Sequence, residues 1–183
     1  MLGGRHLRTS FVGSPFPYPR TALGRRFHAP PIFVAAAGEQ AAELAGRLGD
    51  GLIGTAPEPN TIKAFDHAGG DGKPHIGQVM VCWAAIEDEG KRIAHEWWPN
   101  AALPGQLGQE LPLPMHFEQA TSRLGRDDVA GRVICGHDAD RHAEAIKEFA
   151  DAGYEQVYVH QIAPDQDGFF DFYEKAVLPR FAV

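Results

Sequence analysis

Cysteine is nearly absent from this sequence: 183 residues hold only Cys82 and Cys135. Two widely spaced cysteines make no disulfide framework and no CxxC pair for metal or redox work. Both sit in apolar runs and read as packing residues. Long apolar runs are missing too. No stretch approaches the roughly 18 residues of a membrane span. Residues 1–20 carry arginines without the apolar stretch of a secretory signal, so a cytoplasmic address with no membrane partner is expected. Positive charge is scarce outside the first residues. Arg5, Arg8, Arg20, Arg25 and Arg26, with no acid beside them, give residues 1–29 a charge of +5, and the remainder of the chain totals −12. A body of that sign repels a phosphate backbone, which argues against nucleic acid as a partner.

What is present has a repeating grammar from Pro30 onward. Residues 1–29 show neither helical nor strand periodicity and read as an atypical, disordered basic arm. Ile32-Phe-Val-Ala-Ala36 is then a short apolar run suited to a strand buried on both faces. Glu39 to Leu48 has Ala41, Leu44, Ala45 and Leu48 at helical spacing, and Gly49 closes it. Strands are expected at 52–54, 75–83 and 156–162, with a short extended piece at Val133-Ile-Cys135. Helices are expected at 58–68, 86–97, 114–124, from an Asp138 cap to Ala152, and 167–178. The last carries Phe169, Phe170, Phe172 and Tyr173 on its buried side. Residues 98–113, rich in Pro and Gly, read as a surface loop.

Strands alternating with helices predict parallel βα units in one α/β domain, residues 30–183. About four units make either half of an eight-fold barrel or a small flavodoxin-like layer, and the pattern alone does not choose.

Particular residues break the tie. Pro31-Ile-Phe-Val-Ala-Ala-Ala-Gly-Glu-Gln-Ala-Ala42, followed by Leu44-Ala-Gly-Arg-Leu-Gly-Asp-Gly-Leu-Ile-Gly-Thr55, resembles the fifth strand, helix and sixth strand of luciferase-like oxidoreductases. The similarity is greatest to the deazaflavin-dependent group that includes the F420-dependent glucose-6-phosphate dehydrogenases. Ala152-Gly-Tyr-Glu-Gln-Val-Tyr-Val-His-Gln-Ile162 and the run to Leu178-Pro-Arg180 resemble the eighth strand and final helix. Residues 1–29 do not share the resemblance, and an altered reading frame or an atypical start is the expected source of this arm.

The resemblance implies the C-terminal half of a luciferase-like TIM (β/α)8 barrel, with ligands at the C-terminal ends of the strands. It implies that Ala37, Gly38, Gln40 and Ala41 hold the phosphate-bearing tail of coenzyme F420, with FMN as the alternative cofactor. A helix N-terminus with free N–H groups, reached through small residues, suits that task. The same Ala and Gly residues also suit tight strand–helix packing. Thr55 and Arg132 match substrate-contacting positions of the family. Departures matter as well. Glu58 stands where a lysine of the sugar-phosphate site is expected, and no lysine lies between Lys91 and Lys147, so a sugar phosphate is a poor substrate.

The family's Asp-His pair, Trp and Glu for hydride transfer find no counterpart here, so no catalytic residue is assigned. The expectation is a truncated F420-dependent oxidoreductase, inactive in isolation, which takes a small organic substrate. Such a half-barrel exposes strand edges and is expected to form a homo-oligomer; a non-catalytic half-barrel that self-associates and an FMN-dependent luciferase-like monooxygenase are the alternative readings. His137, Asp138 and His142 form no metal set, because i and i+5 do not share a helix face; they read as a capping turn with solvated histidines. Trp97-Trp98 reads as a core anchor at a helix end.

Overall fold

The computed structural model describes residues 30–105 and 107–181, so the basic arm lies outside the described residues. Two compact units divide the chain: residues through Gln78 with Glu148–Tyr158, and Val79–Lys147 with Val159 onward.

The first unit opens with β1 (Phe33–Ala35), α1 (Glu39–Leu48), β2 (Gly51–Gly54) and α2 (Pro59–Phe65). It continues into the start of β3 (His75–Cys82) and takes in the end of α7 (Ala139–Ala152) and the start of β5 (Gln156–Gln161). β1 runs parallel to β2 with Phe33 opposite Gly51 and Ala35 opposite Ile53. β2 runs parallel to β3 with Leu52 opposite His75 and Gly54 opposite Gly77. Parallel neighbours require a crossover, and α1 and α2 supply it.

Gly54 and Gly77 are abreast for a steric reason. A methyl group on Gly54 would collide with the Tyr154 hydroxyl, and one on Gly77 with the Phe149 ring. The Tyr154 hydroxyl instead donates to the Ala56 carbonyl at 3.1 Å and ties the α7–β5 turn to the end of β2. Lys73 Nζ donates to the carbonyls of Gly46 and Gly49 at 2.7 and 2.9 Å, which suits a cation at the C-terminal end of α1.

α1 has the expected bounds but buries a different face. Ala42, Ala45 and Gly46 point inward, whereas Leu44 and Leu48 are 48% and 74% exposed. Small residues win because α1 crosses α2 closely: a methyl on Gly46 would strike the Phe65 carbonyl. The expected helix at 58–68 also divides, with α2 ending at Phe65 and a π turn covering Asp66–Gly70. Gly69 within that turn has φ of +105°, a backbone no side-chain-bearing residue adopts cheaply.

The second unit contains the end of β3, where Val81 and Cys82 pair in parallel with Ile134 and Cys135 of β4 (Ile134–Cys135). β5 joins β3 here through Ile162 N–H to the Val81 carbonyl at 2.9 Å. Between β3 and β4 lies a helical insertion of α3 (Glu87–Trp97), α4 (Leu107–Glu110), α5 (Pro114–Thr121) and α6 (Arg126–Ala130). The presumed loop at 98–113 thus holds a 3-10 turn at Pro99–Ala102 and the short α4. α6 escaped the sequence pattern because Val129 is the single buried residue of its charged segment.

The core of this unit joins Cys82, Ile93, Ala94, Val129, Val133, Cys135, Ile162 and Ala163, with Trp98, Ala101 and Ala102 packed against it. Trp98 serves as the anchor expected at the end of α3, while Trp97 is exposed. The described residues close through α8 (Gln166–Phe172), a π turn, Tyr173–Val177, and a 3-10 turn, Leu178–Phe181. Phe169 and Tyr173 are buried there, but Phe170 is 47% exposed. One residue is about 100° of helix, so adjacent aromatics cannot share one face.

Candidate cofactor-binding turn

The β1–α1 turn carries the four residues expected to hold a cofactor tail. Ala36 N–H bonds the Ile53 carbonyl at 3.0 Å, the last link of the ladder between the two strands. Ala37 and Gly38 follow as exposed residues, and α1 begins at Glu39 with Gly38 as its cap. Gly38 has extended backbone and no side chain, so nothing caps the helix. The first intrahelical bond is from Ala42 N–H to Gly38 O at 3.0 Å. The N–H groups of Glu39, Gln40 and Ala41 therefore lack carbonyl partners within the helix, as in any first turn. Their residues are exposed. Among the described residues, and apart from Gly38's own chain neighbours, no atom lies within 4 Å of where a Gly38 side chain would begin, which leaves a ligand room to approach the backbone. These features fit a phosphate-bearing group. Glu39, an acid in the first turn, opposes it.

Thr55 belongs with this turn. Ala35 pairs with Ile53 in parallel, so Ala37 and Thr55 each stand two residues beyond a matched position. Both are exposed. Glu58, also exposed, caps α2 without a side-chain bond. Arg132 belongs to the other unit. It is exposed on the turn entering β4, where its N–H bonds the Val129 carbonyl at 2.9 Å.

The turn after β4 is built differently. Asp138 caps α7, its Oδ1 accepting from Asp140 N–H at 3.0 Å and Arg141 N–H at 3.4 Å. His137 is exposed, but His142 is not the solvated residue that the spacing suggested: it is 1% exposed. Its Nε2 lies 3.1 Å from the Gly136 carbonyl, which can only accept, so Nε2 carries the proton. Nδ1 then accepts from the Tyr173 hydroxyl at 2.8 Å. Burial pulls the His142 pKa below its ordinary value, against the opposing pull of the Gly136 carbonyl. A neutral imidazole with both nitrogens engaged is a structural pin. Sequence reasoning missed it because nothing local marks the far partner, Tyr173. Among the described residues no group of three or more His, Cys, Asp or Glu is placed to hold a metal ion.

The model of the luciferase-like monooxygenase family matches residues 2–156. The chain belongs to the luciferase-like monooxygenase family. The match begins at residue 2 and takes in the basic arm, which corrects the expectation that residues 1–29 lie outside the resemblance.

Among its relatives is an F420-dependent glucose-6-phosphate dehydrogenase of Nakamurella multipartita, 25% identical over 185 residues, covering 94% of this chain and 55% of that protein. An F420-dependent hydroxymycolic acid dehydrogenase of Mycobacterium tuberculosis is 32% identical over 158 residues, covering 82% of this chain and 42% of that protein. A solved F420-dependent secondary alcohol dehydrogenase, in complex with an F420-acetone adduct, superposes with a TM-score of 0.69 at 20% identity. That alignment covers 96% of this chain and 56% of the other.

The luciferase-like chain thus spans about half the length of the curated relatives it matches. Its parallel α/β fold is that of about half of a luciferase-like TIM barrel. In such barrels ligands sit at the C-terminal ends of the strands. The β1–α1 turn and Thr55 occupy that end of their strands.

Proposed function

We propose that this luciferase-like chain is part of an F420-dependent oxidoreductase that transfers a hydride between the deazaflavin and a small organic substrate. The observation that carries the reading is the open β1–α1 turn: an uncapped helix start, clear space at Gly38 among the described residues, and Thr55 standing, like Ala37, two residues beyond the last strand pair. Ala37, Gly38, Gln40 and Ala41 hold the phosphate-bearing tail, chiefly through backbone N–H groups. Thr55 contributes to the substrate wall and Arg132 is a second substrate contact.

When bound, the deazaflavin supplies the hydride chemistry, and the protein's task is to orient it. The exposed Glu58 beside Thr55 disfavours a phosphorylated sugar, since an acid repels a phosphate. Proton transfer during turnover falls to residues that the family resemblance places outside this chain. Among the described residues no helix is long and apolar enough to cross a membrane; a cytoplasmic address is part of the proposal.

The test is titration of the chain with coenzyme F420 and, separately, with FMN, followed by fluorescence. Saturable F420 binding in the micromolar range that weakens in Gly38→Asp supports the reading. FMN binding alone would move the chain to the flavin-dependent branch of the family, and binding of neither by a folded sample would overturn the assignment. A self-associated chain belongs to the same reading, because Ile32 and Tyr158 are 63% and 50% exposed. Sedimentation at dilute concentration checks it, and a stable monomer counts against it.

A further inference from the structure

The chain's only two cysteines, far apart in sequence, stand side by side in the fold. β3 and β4 run parallel with Cys82 opposite Cys135. Neighbouring strands lie roughly 4.8 Å apart, and a disulfide needs Cα atoms about 4.4–6.8 Å apart. Side chains alternate along a strand, so partners in register leave the same face of the sheet. Both thiols belong to one buried cluster with Ile93, Ala94, Val129 and Val133. Neither has a part in the oxidoreductase reading.

Bridging the pair gives up little. Cys135 Sγ donates to the Val133 carbonyl at 3.4 Å, and Cys82 touches the backbone of Ala94 and Ala163. A thiol is a weak donor, so these contacts hold the reduced form loosely. Burial acts in the same direction. It pushes Cys82 up to about 12 and Cys135 up to about 11, although Arg141 and Lys91 draw Cys135 down. An easily reduced disulfide is one whose reduced form is stabilised. No stabilised thiolate favours the reduced form here, so a bridge resists reduction. The position also matters. Cys82 ends β3, β4 has two residues, and Gly136 N–H extends their ladder to the Cys82 carbonyl at 3.1 Å. A covalent bond here joins the two ends of the segment that carries α3 to α6. An unfolded chain loses the entropy of that open loop, so the bridge stabilises the folded state.

We propose that the folded chain has a second covalent state, in which an intrachain Cys82–Cys135 disulfide staples the end of β3 to β4 and encloses the helical insertion. The bridge forms as the chain folds, by exchange with a low-molecular-weight disulfide. One cysteine thiolate attacks a sulfur of the reagent and breaks its S–S bond, giving a mixed disulfide and releasing one reagent thiol. Pairing of β3 with β4 then brings the second cysteine alongside. It gives up its proton and attacks the protein sulfur of the mixed disulfide, which releases the second reagent thiol. Two protein thiols lose two electrons and two protons, and the reagent leaves as two thiols. Once formed, the bridge is as closed to a reductant as the buried thiols are to other reagents.

The test is refolding of the full chain from urea in buffers of oxidised and reduced glutathione, followed by acid quench and intact-mass measurement. The same buffers with urea retained give the unfolded reference. Loss of two hydrogens is expected, with an unreduced proteolytic fragment that joins Cys82 to Cys135. In the folded chain the bridge is expected to persist at a glutathione ratio roughly a hundredfold more reducing than in urea, because folding has already closed the loop. The bridged chain is expected to unfold at a higher urea concentration than the reduced chain. Cys135→Ala is expected to abolish that difference and to leave glutathione on Cys82. Free thiols or glutathione adducts at every ratio in the folded chain would overturn the proposal. So would a bridge that forms equally well in urea, or disulfide-linked dimers in place of the intrachain bond. No arm of the test involves the cofactor, so its failure leaves the oxidoreductase reading untouched.

Discussion

Two strand-to-helix turns of this chain have the same topology and opposite chemistry. After β4, Asp138 caps α7 and the buried His142 joins the Gly136 carbonyl to Tyr173. After β1, Gly38 leads into α1 with no side-chain cap and, among the described residues beyond its chain neighbours, no atom within 4 Å of its missing side chain. The first turn engages its helix start with the Asp138 side chain and pins His142 between Gly136 and Tyr173. The second leaves its N–H groups to whatever anion arrives. A helix start that a protein does not cap is either a tolerated loss of about 1 kcal/mol or a binding site, and mutation can tell which.

The largest effect is expected at the closed turn. His142→Ala removes a fully buried ring and leaves Gly136 and Tyr173 without their shared partner. A loss of about 2–4 kcal/mol is expected, read from urea unfolding. The same pin predicts a pH dependence. The folded-state pKa of His142 is depressed, so its contribution is complete above the unfolded value of about 6.5. It is lost as pH falls from there toward the folded value, because the unfolded chain takes up the proton first. His142→Gln is expected to flatten that slope between pH 7.5 and 5.5; an unchanged slope would assign it to other groups.

Exchanging the chemistry of the two turns tests the comparison directly. Gly38→Asp gives α1 the cap that α7 has, and its extended backbone accommodates any residue. Stability is expected to rise by about 1 kcal/mol while F420 binding falls at least tenfold, because the new carboxylate takes the N–H groups and repels phosphate. Stability and affinity moving together would break the comparison. In the reverse direction, Asp138→Ala is expected to cost about 1 kcal/mol without affecting F420 affinity.

Smaller still is Glu39→Gln. Removing the one first-turn acid of α1 is expected to tighten F420 two- to fivefold at low salt, from about 0.3–1 kcal/mol of helix-terminus electrostatics. High salt should erase the gain.

The opposed thiols of Cys82 and Cys135 offer a control on folding for all these variants. Burial pushes the Cys82 pKa up to about 12, with Cys135 adding to the shift, and burial pushes Cys135 up to about 11. Thiolate is the reactive form, so neither should react with iodoacetamide until the chain unfolds.

Some of this was legible in the residues. The run Glu39–Leu48, the strand at 75–82 and the Asp138 cap follow from local rules, since a cap, a helical period and a β-rich apolar run each need only their neighbours. The candidate tail site came only from the family resemblance of the 31–55 block, because consecutive small residues by themselves also suit tight strand–helix packing. His142 was not legible, because its partner lies 31 residues away.

The sequence by itself determined the alternation of strand and helix, the absence of a disulfide framework, the negative body, and the family through the 31–55 block. Those properties depend on composition and near neighbours. Tertiary structure alone decided which face of α1 is buried. The period offered Leu44 and Leu48, yet the close crossing of α1 over α2 admits only Ala42, Ala45 and Gly46. It also decided that Gly54 and Gly77 stand where Tyr154 and Phe149 must lie, because a steric limit exists only once two distant segments are brought to the same place.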